Sequence, residues 1–298
     1  MTKTAIMEIK RSLRGPAREN EPLAPHTTWG IGGPAALWAE PADTADLQTL
    51  VGACGAAGVP FFVIGAGSNL LVSDTGFKGV AVALCRLADM RISGTHVMAG
   101  AGTSLRTLVR ETMAAGLSGL ECLCGVPGTV GGGLATNAGA KGRAISDTVE
   151  TIEMLGHDGA VAAQPHAAFT FGYRASSVKQ QGVVCAAQFR LDPKNPAEIK
   201  QTLRSSMQER KARQPLAAKT AGSVFKNPPY DAAGRLIETS GCKGWAEGGA
   251  VVSEKHANFI VNRGGARAQD VLALMARVRA QVAKVTGVEL EPEVEIVG

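Results

Sequence analysis

Aromatic side chains are scarce in this 298-residue chain, at 4% of positions, and single-stranded nucleic acid is usually held on stacked aromatics. The formal charge of +5 does not restore that reading once it is placed. Lys3, Lys10, Arg11, Arg14 and Arg18 against Glu8 put +4 of it in the first eighteen residues, so the remaining 280 carry only +1. A nucleic-acid binder of this size needs a basic stripe along its body. No CxxC pair occurs among the six cysteines, at 54, 85, 122, 124, 185 and 242, and most lie in apolar runs as buried, reduced thiols. The charged N-terminus lacks the apolar stretch of a signal peptide, and with no disulfide framework the expected compartment is the cytoplasm. An uninterrupted membrane span is missing too. Residues 47 to 73 carry no charge, but Pro60, Gly65, Gly67, Ser68 and Asn69 break the stretch where lipid would leave backbone groups unpaired.

What is present is a 45% hydrophobic, 19% charged composition, enough for a full core and, at ~150 residues per domain, about two domains. Residues 43 to 57 open on Asp-Thr and close on Gly58, which predicts a helix, and Pro60-Phe-Phe-Val-Ile64 follows as an apolar strand. A second helix is predicted over 104 to 115, with Leu105, Leu108, Val109, Thr112 and Met113 on one face and a stop at Gly116. Strands are predicted at 148–155 and 182–191, with His157-Asp158-Gly159 as a hairpin turn before 160–163. Asp192-Pro-Lys-Asn-Pro196 reads as a linker, and a charged helix from Ala197 would bury Ile199, Leu203 and Met207. Beyond it come strand-like Ser223-Val-Phe225 and Ala257-Asn-Phe-Ile-Val261. A final helix from about 268 to 286 would turn Val271, Leu272, Met275, Val278, Val282 and Val285 inward.

The 37 glycines exceed the roughly 21 that ordinary usage of ~7% gives. One cluster, Gly65-Ala66-Gly67-Ser68-Asn69-Leu70, directly follows the strand at 60–64. Consecutive backbone N–H groups at a strand end can cradle phosphate oxygens if no Cβ holds the anion away. Leu70 departs from the Rossmann GxGxxG pattern, and the absence of a Gly-Lys dipeptide excludes a P-loop. The second cluster, Gly125 to Gly139, holds six glycines inside a stretch, 122 to 140, without charge. At ~1 kcal/mol each these would not support an isolated helix, whereas a diphosphate needs both close approach and no carboxylates. Two such loops point to a dinucleotide held outside the Rossmann manner.

The motifs GAGSNLLVSDTGFKG (65–79), GVPGTVGGGLATNAG (125–139), FGYRAS (171–176), AGSVFKNP (221–228), GGAVVSEKHANFIVN (248–262) and LEPEVEIVG (290–298) resemble, in order, those of the UDP-N-acetylenolpyruvoylglucosamine reductase family. The first two are shared more loosely with flavoproteins of the vanillyl-alcohol-oxidase type. Charge marks a basic tail at 1–20, and the resemblance, which runs from about Thr27, implies an α+β chain with an FAD-binding domain of that type (PCMH) at 21–193 in two lobes, about 21–85 and 86–193, and an α+β substrate-binding domain at 197–298. It implies FAD as cofactor, NADPH as hydride donor and, as the reaction, reduction of the enolpyruvyl UDP-sugar to UDP-N-acetylmuramate for peptidoglycan. The partner is then a small molecule, with no nucleic acid, membrane or metal, and a monomer is expected. FAD contacts are carried over to Gly65, Ala66, Gly67, Ser68, Asn69, Leu70, Gly128, Thr129, Gly131, Gly132, Asn137 and Gly139. The family usually has Met and Tyr where this chain has Thr136 and Lys141, and often Ala at Gly133. With no counterpart of a tyrosine-bearing loop between 176 and 183, the chain resembles the shorter branch.

Reducing an enolpyruvyl C=C takes a hydride to one carbon and a proton to the other while charge builds on the carboxylate side, so an acid and cationic stabilisers are required. A guanidinium suits a carboxylate, and the family's catalytic Arg matches Arg174; a surface ion pair is the plainer reading of a lone Arg. Ser223, between Lys219 and Lys226, matches its proton donor, though a strand-capping serine looks the same. Glu291 and Glu293 flank Pro292, alternation does not tell them apart, and the family's catalytic Glu matches Glu293. Seven cations against Glu209 alone give +6 between 200 and 226. A UDP-sugar with a carboxylate, at about three negative charges, would be steered by them, and Lys226, Asn227 and Arg213 are the expected substrate contacts. An oxidase or dehydrogenase of the same FAD fold, or a non-catalytic UDP-sugar binder, are the alternatives. His157, in the one Gly-His dipeptide, has a hairpin setting that argues against covalent flavin.

Overall fold

The computed structural model describes residues 3–298. Two compact units interleave along the chain: of the described residues the first gathers 3–19, 36–66 and 79–208, the second 20–35, 67–78 and 209–298. Their boundaries depart from the sequence expectation, since the 196–213 helix lies in the first unit as far as Gln208 and two early segments belong to the second.

In the first unit α1 (Lys3–Ser12) stands where a basic tail was expected. Ile6 and Ile9 are buried in the unit's core with Leu47 and Leu50 of α2 (Thr44–Ala57). The turn that follows α1 is tied down by the buried Asp46 carboxylate, which accepts the N–H groups of Arg14 (3.0 Å), Gly15 (2.9 Å) and Ala42 (2.8 Å). The caps predicted for α2 are present: the Asp43 side chain accepts from Asp46 N, and Gly58 takes the left-handed conformation at φ 61°. A four-stranded sheet runs in the order Ala17–Pro22, Pro34–Ala39, Phe77–Ala83, Phe61–Ile64, the last pair parallel.

A second sheet is antiparallel throughout, as the alternation of the middle third predicts. Its order is Val161–Pro165, Val149–Gly156, Gly182–Arg190, His96–Gly100, Met90–Ser93. Three helices serve it: α3 (Leu105–Ala114), capped by Ser104, the seven-residue α4 (Val130–Thr136) and α5 (Val178–Gln181). The charged α6 (Pro196–Arg213) buries only Ile199 fully, with Leu203 partly buried against the core.

The second unit packs α7 (Ala233–Thr239) and α8 (Ala268–Thr286) with the strands Ala246–Glu247, Ala250–Val252 and Ile260–Asn262. Its core holds Trp29, whose indole N–H donates to Ile260 O at 2.8 Å. The predicted span of α8 holds, but its face is corrected. Val271, Leu274, Met275, Val278 and Val282 are buried, whereas Leu272 is 38% and Val285 54% exposed: Leu272 sits about 100° round the helix from the buried stripe, and Val285 shares the stripe's direction but is the penultimate residue of the helix. The expectation that the thiols are buried fails at Cys85, which is exposed; all six are free. Among the described residues no helix is long and apolar enough to cross a membrane and no group of side chains could hold a metal ion.

Candidate active site

In the second unit the segment 223–226 lies between two neighbours. Ser223 bridges Phe259 and Phe225 bridges Pro292, both antiparallel. Val224 N donates to Asn258 O, Lys226 N to Glu291 O, and Glu293 N to Val224 O at 2.8 Å. The buried Asn258 side chain fixes Phe225 from both sides, accepting from its N–H and donating to its C=O. Ser223 and Glu293 therefore sit on adjacent backbones one register step apart. The two glutamates differ in exposure: Glu291 projects with 76% of its side chain exposed and pairs with Lys226 at 3.4 Å, whereas Glu293 is half-buried.

Strands Leu70–Val72 and Glu295–Val297 pair in parallel, Leu70 opposite Glu295. At the end of the first glycine loop Asn69 Nδ2 donates to Glu293 O at 3.1 Å, and Asn69 O accepts from Glu295 N at 2.9 Å. Gly67 is buried at φ +60°, and a Cβ there would stand 2.0 Å from His26 O; its bareness serves the chain's own backbone. Ser68 is half-buried. The expected substrate contacts have intrachain roles. Asn227 Oδ1 accepts from Ala233 N at the start of α7, and Arg213, with 76% of its side chain exposed, pairs with Glu209 on α6.

In the first unit, Gly65 and Ala66 are exposed at the end of Phe61–Ile64. A Cβ on Gly65 would meet Thr129 Oγ1 at 2.6 Å. The second loop is zipped to the start of α3: Ser104 bridges Thr129, Leu105 N donates to Gly128 O, Val130 N to Thr103 O and Gly131 N to Ala101 O. Thr129 caps α4 by accepting from Gly132 N, and Gly132 is exposed. Gly139 is buried for a structural reason, since a Cβ would stand 2.1 Å from Arg143 O. Asn137 ends α4 in the left-handed conformation, φ 49° and ψ 58°. Arg174 is half-buried at the corner of the hairpin Phe171–Gly172/Ala175–Ser176, with φ +51° and its guanidinium 5.4 Å from the Tyr173 ring centre. His157 is exposed, with Nε2 2.9 Å from Gln180 O.

Two atoms in this unit test the fit of a cofactor. Asn137 Oδ1 and Thr103 Oγ1 are buried with no hydrogen-bond partner, and buried polar atoms ordinarily have one. Both lie in or beside the carboxylate-free second loop; the amide oxygen takes a donor and the hydroxyl can give or take a hydrogen bond, so a polar ligand that offers a donor to Asn137 fits. The sequence did not mark Thr103, because Gly-Thr-Ser before a helix reads as a cap. Burial pushes the thiols of Cys54, Cys122 and Cys185 up to about 11, which keeps those three protonated.

Two families match successive parts of the chain. Residues 35–163 match the family described as FAD binding domain, and 214–297 match UDP-N-acetylenolpyruvoylglucosamine reductase, C-terminal domain. A two-unit α+β chain with that domain pairing is an FAD-dependent oxidoreductase. The reductase of Heliobacterium modesticaldum is 44% identical over 98% of this chain and 94% of its own, and that of Geobacter metallireducens 44% over 97% of each. The crystal structure of UDP-N-acetylenolpyruvylglucosamine reductase from Thermus caldophilus, 36% identical, covers 96% of this chain and 100% of its own with a TM-score of 0.83. BBE-like 1 of Physcomitrella patens, 14% identical over 65% of this chain with a TM-score of 0.51, shares the fold alone. The chain belongs to the UDP-N-acetylenolpyruvoylglucosamine reductase family.

Proposed function

We propose that the protein reduces the enolpyruvyl group of UDP-N-acetylenolpyruvoylglucosamine to give UDP-N-acetylmuramate, a cytoplasmic step of peptidoglycan precursor synthesis, with NADPH as reductant. The observation that carries the reading is the pairing of 223–226 with 291–293, which holds Ser223 and Glu293 on neighbouring backbones. FAD, held by the loops at 65–70 and 128–139, supplies when bound a hydride taken from NADPH. Ser223 gives its hydroxyl proton to the carbon that does not receive the hydride, because a neutral donor there avoids a free carbanion. Arg174 faces the substrate carboxylate, where its fixed positive charge lowers the cost of the negative charge that builds up. Glu293, when protonated, donates a hydrogen bond to the same developing charge. Lys226 and Arg213 attract the nucleotide phosphates, and Asn227 donates to them through Nδ2.

Anaerobic stopped-flow absorbance separates the half-reactions. Ser223→Ala is expected to leave flavin reduction by NADPH within about 3-fold and to slow reoxidation by the enolpyruvyl sugar by ~10²-fold or more. Equal loss in both halves refutes the proton-donor role. Reoxidation by oxygen with indifference to the sugar would replace the reductase reading by an oxidase.

A further inference from the structure

The carboxamide of Asn137 joins the end of the second glycine loop to the hairpin that carries Arg174. Its Nδ2 donates to Gly172 O at 2.8 Å, one residue before the Tyr173–Arg174 corner. That hairpin has only two paired residues on each side, Phe171 with Ser176 and Gly172 with Ala175, and a ladder so short does not hold its own shape. Its corner also needs holding. Arg174 is kept at φ +51°, a left-handed conformation that is uncommon outside Gly, Asn and Asp and persists only where surrounding contacts impose it.

Asn137 suits the task. At φ 49° it occupies the left-handed stop of α4, which glycine would fill equally well. Glycine could not supply the amide. The side chain is 6% exposed, its Nδ2 is committed to Gly172 O, and its Oδ1 is buried with no hydrogen-bond partner. A residue chosen only to end a helix would not need a buried amide with an unanswered acceptor.

We propose that Asn137 is a positioning residue for Arg174: its amide N–H, bonded to Gly172 O, fixes the hairpin corner and with it the direction of the guanidinium during reduction of the sugar. The inference rests on the catalytic reading of Arg174. A misplacement of ~1 Å in a catalytic group can cost ~10²-fold in rate, which sets the scale of the effect.

The test uses the full FAD-loaded chain and both half-reactions. Asn137→Gly retains the left-handed stop and removes the amide. Because Asn137 also belongs to the cofactor loop, both half-reactions are measured at saturating FAD, and reoxidation by the enolpyruvyl sugar is expected to slow by ~10- to 100-fold more than flavin reduction by NADPH does. Asn137→Asp keeps the shape and serves if the glycine variant does not fold. Its carboxylate cannot donate to Gly172 O, but its protonated form can, so its sugar rate relative to wild type should rise as pH falls. In the apoprotein, amides of 171–177 should exchange faster in Asn137→Gly than in wild type.

The deciding measurement is a double-mutant cycle with Arg174→Gln. If Asn137 acts through Arg174, Asn137→Gly costs less than about 2-fold in the Arg174→Gln background. A full 10- to 100-fold loss there, with Arg174→Gln itself crippled, overturns the positioning role and leaves Arg174 catalytic. Wild-type reoxidation by Arg174→Gln overturns the catalytic reading, and this inference with it.

Discussion

Replacing Gly67 by alanine puts a methyl group where the chain has no room. At φ +60° its Cβ would stand 2.0 Å from His26 O and 2.8 Å from Thr27 Cα, both backbone atoms. An ordinary carbon–oxygen contact is ~3.3 Å, so one backbone must retreat by about 1 Å. That retreat breaks the bond from Thr28 N to Gly67 O, 3.0 Å long, at a net cost of about 1 kcal/mol. The left-handed conformation costs alanine about 1 kcal/mol, and overpacking about 1–3 kcal/mol more. The total is roughly 3–5 kcal/mol, shared between a less stable apoprotein and a displaced cofactor loop. Flavin-fluorescence titration of the apoprotein should show an FAD Kd raised by at least about 10-fold, which takes only ~1.4 kcal/mol of that total. Melting should occur several degrees lower, at ~2–4 °C per kcal/mol. Gly222→Ala is the control: it also has positive φ, +79°, but a Cβ there meets nothing within 4 Å, so FAD affinity should stay within about 2-fold. Wild-type affinity and melting for Gly67→Ala would refute the reasoning.

Asp46→Ala leaves the N–H groups of Arg14, Gly15 and Ala42 without their acceptor, so denaturant unfolding should show a loss of about 3–6 kcal/mol, and Asp46→Asn, which keeps an oxygen for two of the three, about 1–3 kcal/mol. Burial pushes the Asp46 carboxyl up, but those three donors outweigh it and hold it below the ordinary value; its contribution is therefore present above about pH 4, is lost as pH falls through the lower folded value, and should vanish from the acid limb in Asp46→Asn. Burial, followed by the nearby Lys243, pushes His256 down. Stability it contributes is present above about pH 6.5 and declines below it as the unfolded chain takes up the proton first, so His256→Gln should flatten the unfolding free energy between about pH 6.5 and 5.

Helices with strong local caps were legible in the sequence. Asp43 and Gly58 mark α2, Ser104 opens α3, and α8 stops at Gly287, φ +72°. The turn at His157–Gly159 was legible for the same reason, as Gly159 takes φ +78°. What depends on distant partners was not. Charge dominates α1, and only Ile6 and Ile9 report that it packs. The inclusion of 20–35 and 67–78 in the second unit rests on contacts such as Trp29 Nε1 to Ile260 O and Asn69 Nδ2 to Glu293 O, which span 231 and 224 residues of sequence. No local pattern encodes those. The site divides likewise. Both glycine loops stand out by composition, but the sequence offered Gly67 and Gly139 only a cofactor reason, whereas a Cβ at either would also press on His26 O or Arg143 O. Lys226 and Asn227, read as ligand contacts from charge, also answer Glu291 and the first turn of α7.

The bonds around Glu293 extend the consequence of moving the first loop. Both of its backbone polar groups are committed: its N–H donates to Val224 O, and its C=O accepts from Asn69 Nδ2. The next strand continues the same attachment through Glu295 N to Asn69 O. Glu293 is thus suspended between the segment that carries Ser223 and the residue that closes the loop containing Gly67. A shift of about 1 Å at Gly67 therefore reaches Glu293 through one residue of chain and one side-chain amide, with no soft element between. Excess FAD should restore cofactor occupancy in Gly67→Ala, but it should not restore the geometry at Glu293. Saturated with FAD, that variant should still reoxidise slowly with the enolpyruvyl sugar, by roughly 10-fold or more. Full recovery of the sugar step on saturation would mean that the loop serves the cofactor alone and that the amide of Asn69 transmits nothing to Glu293.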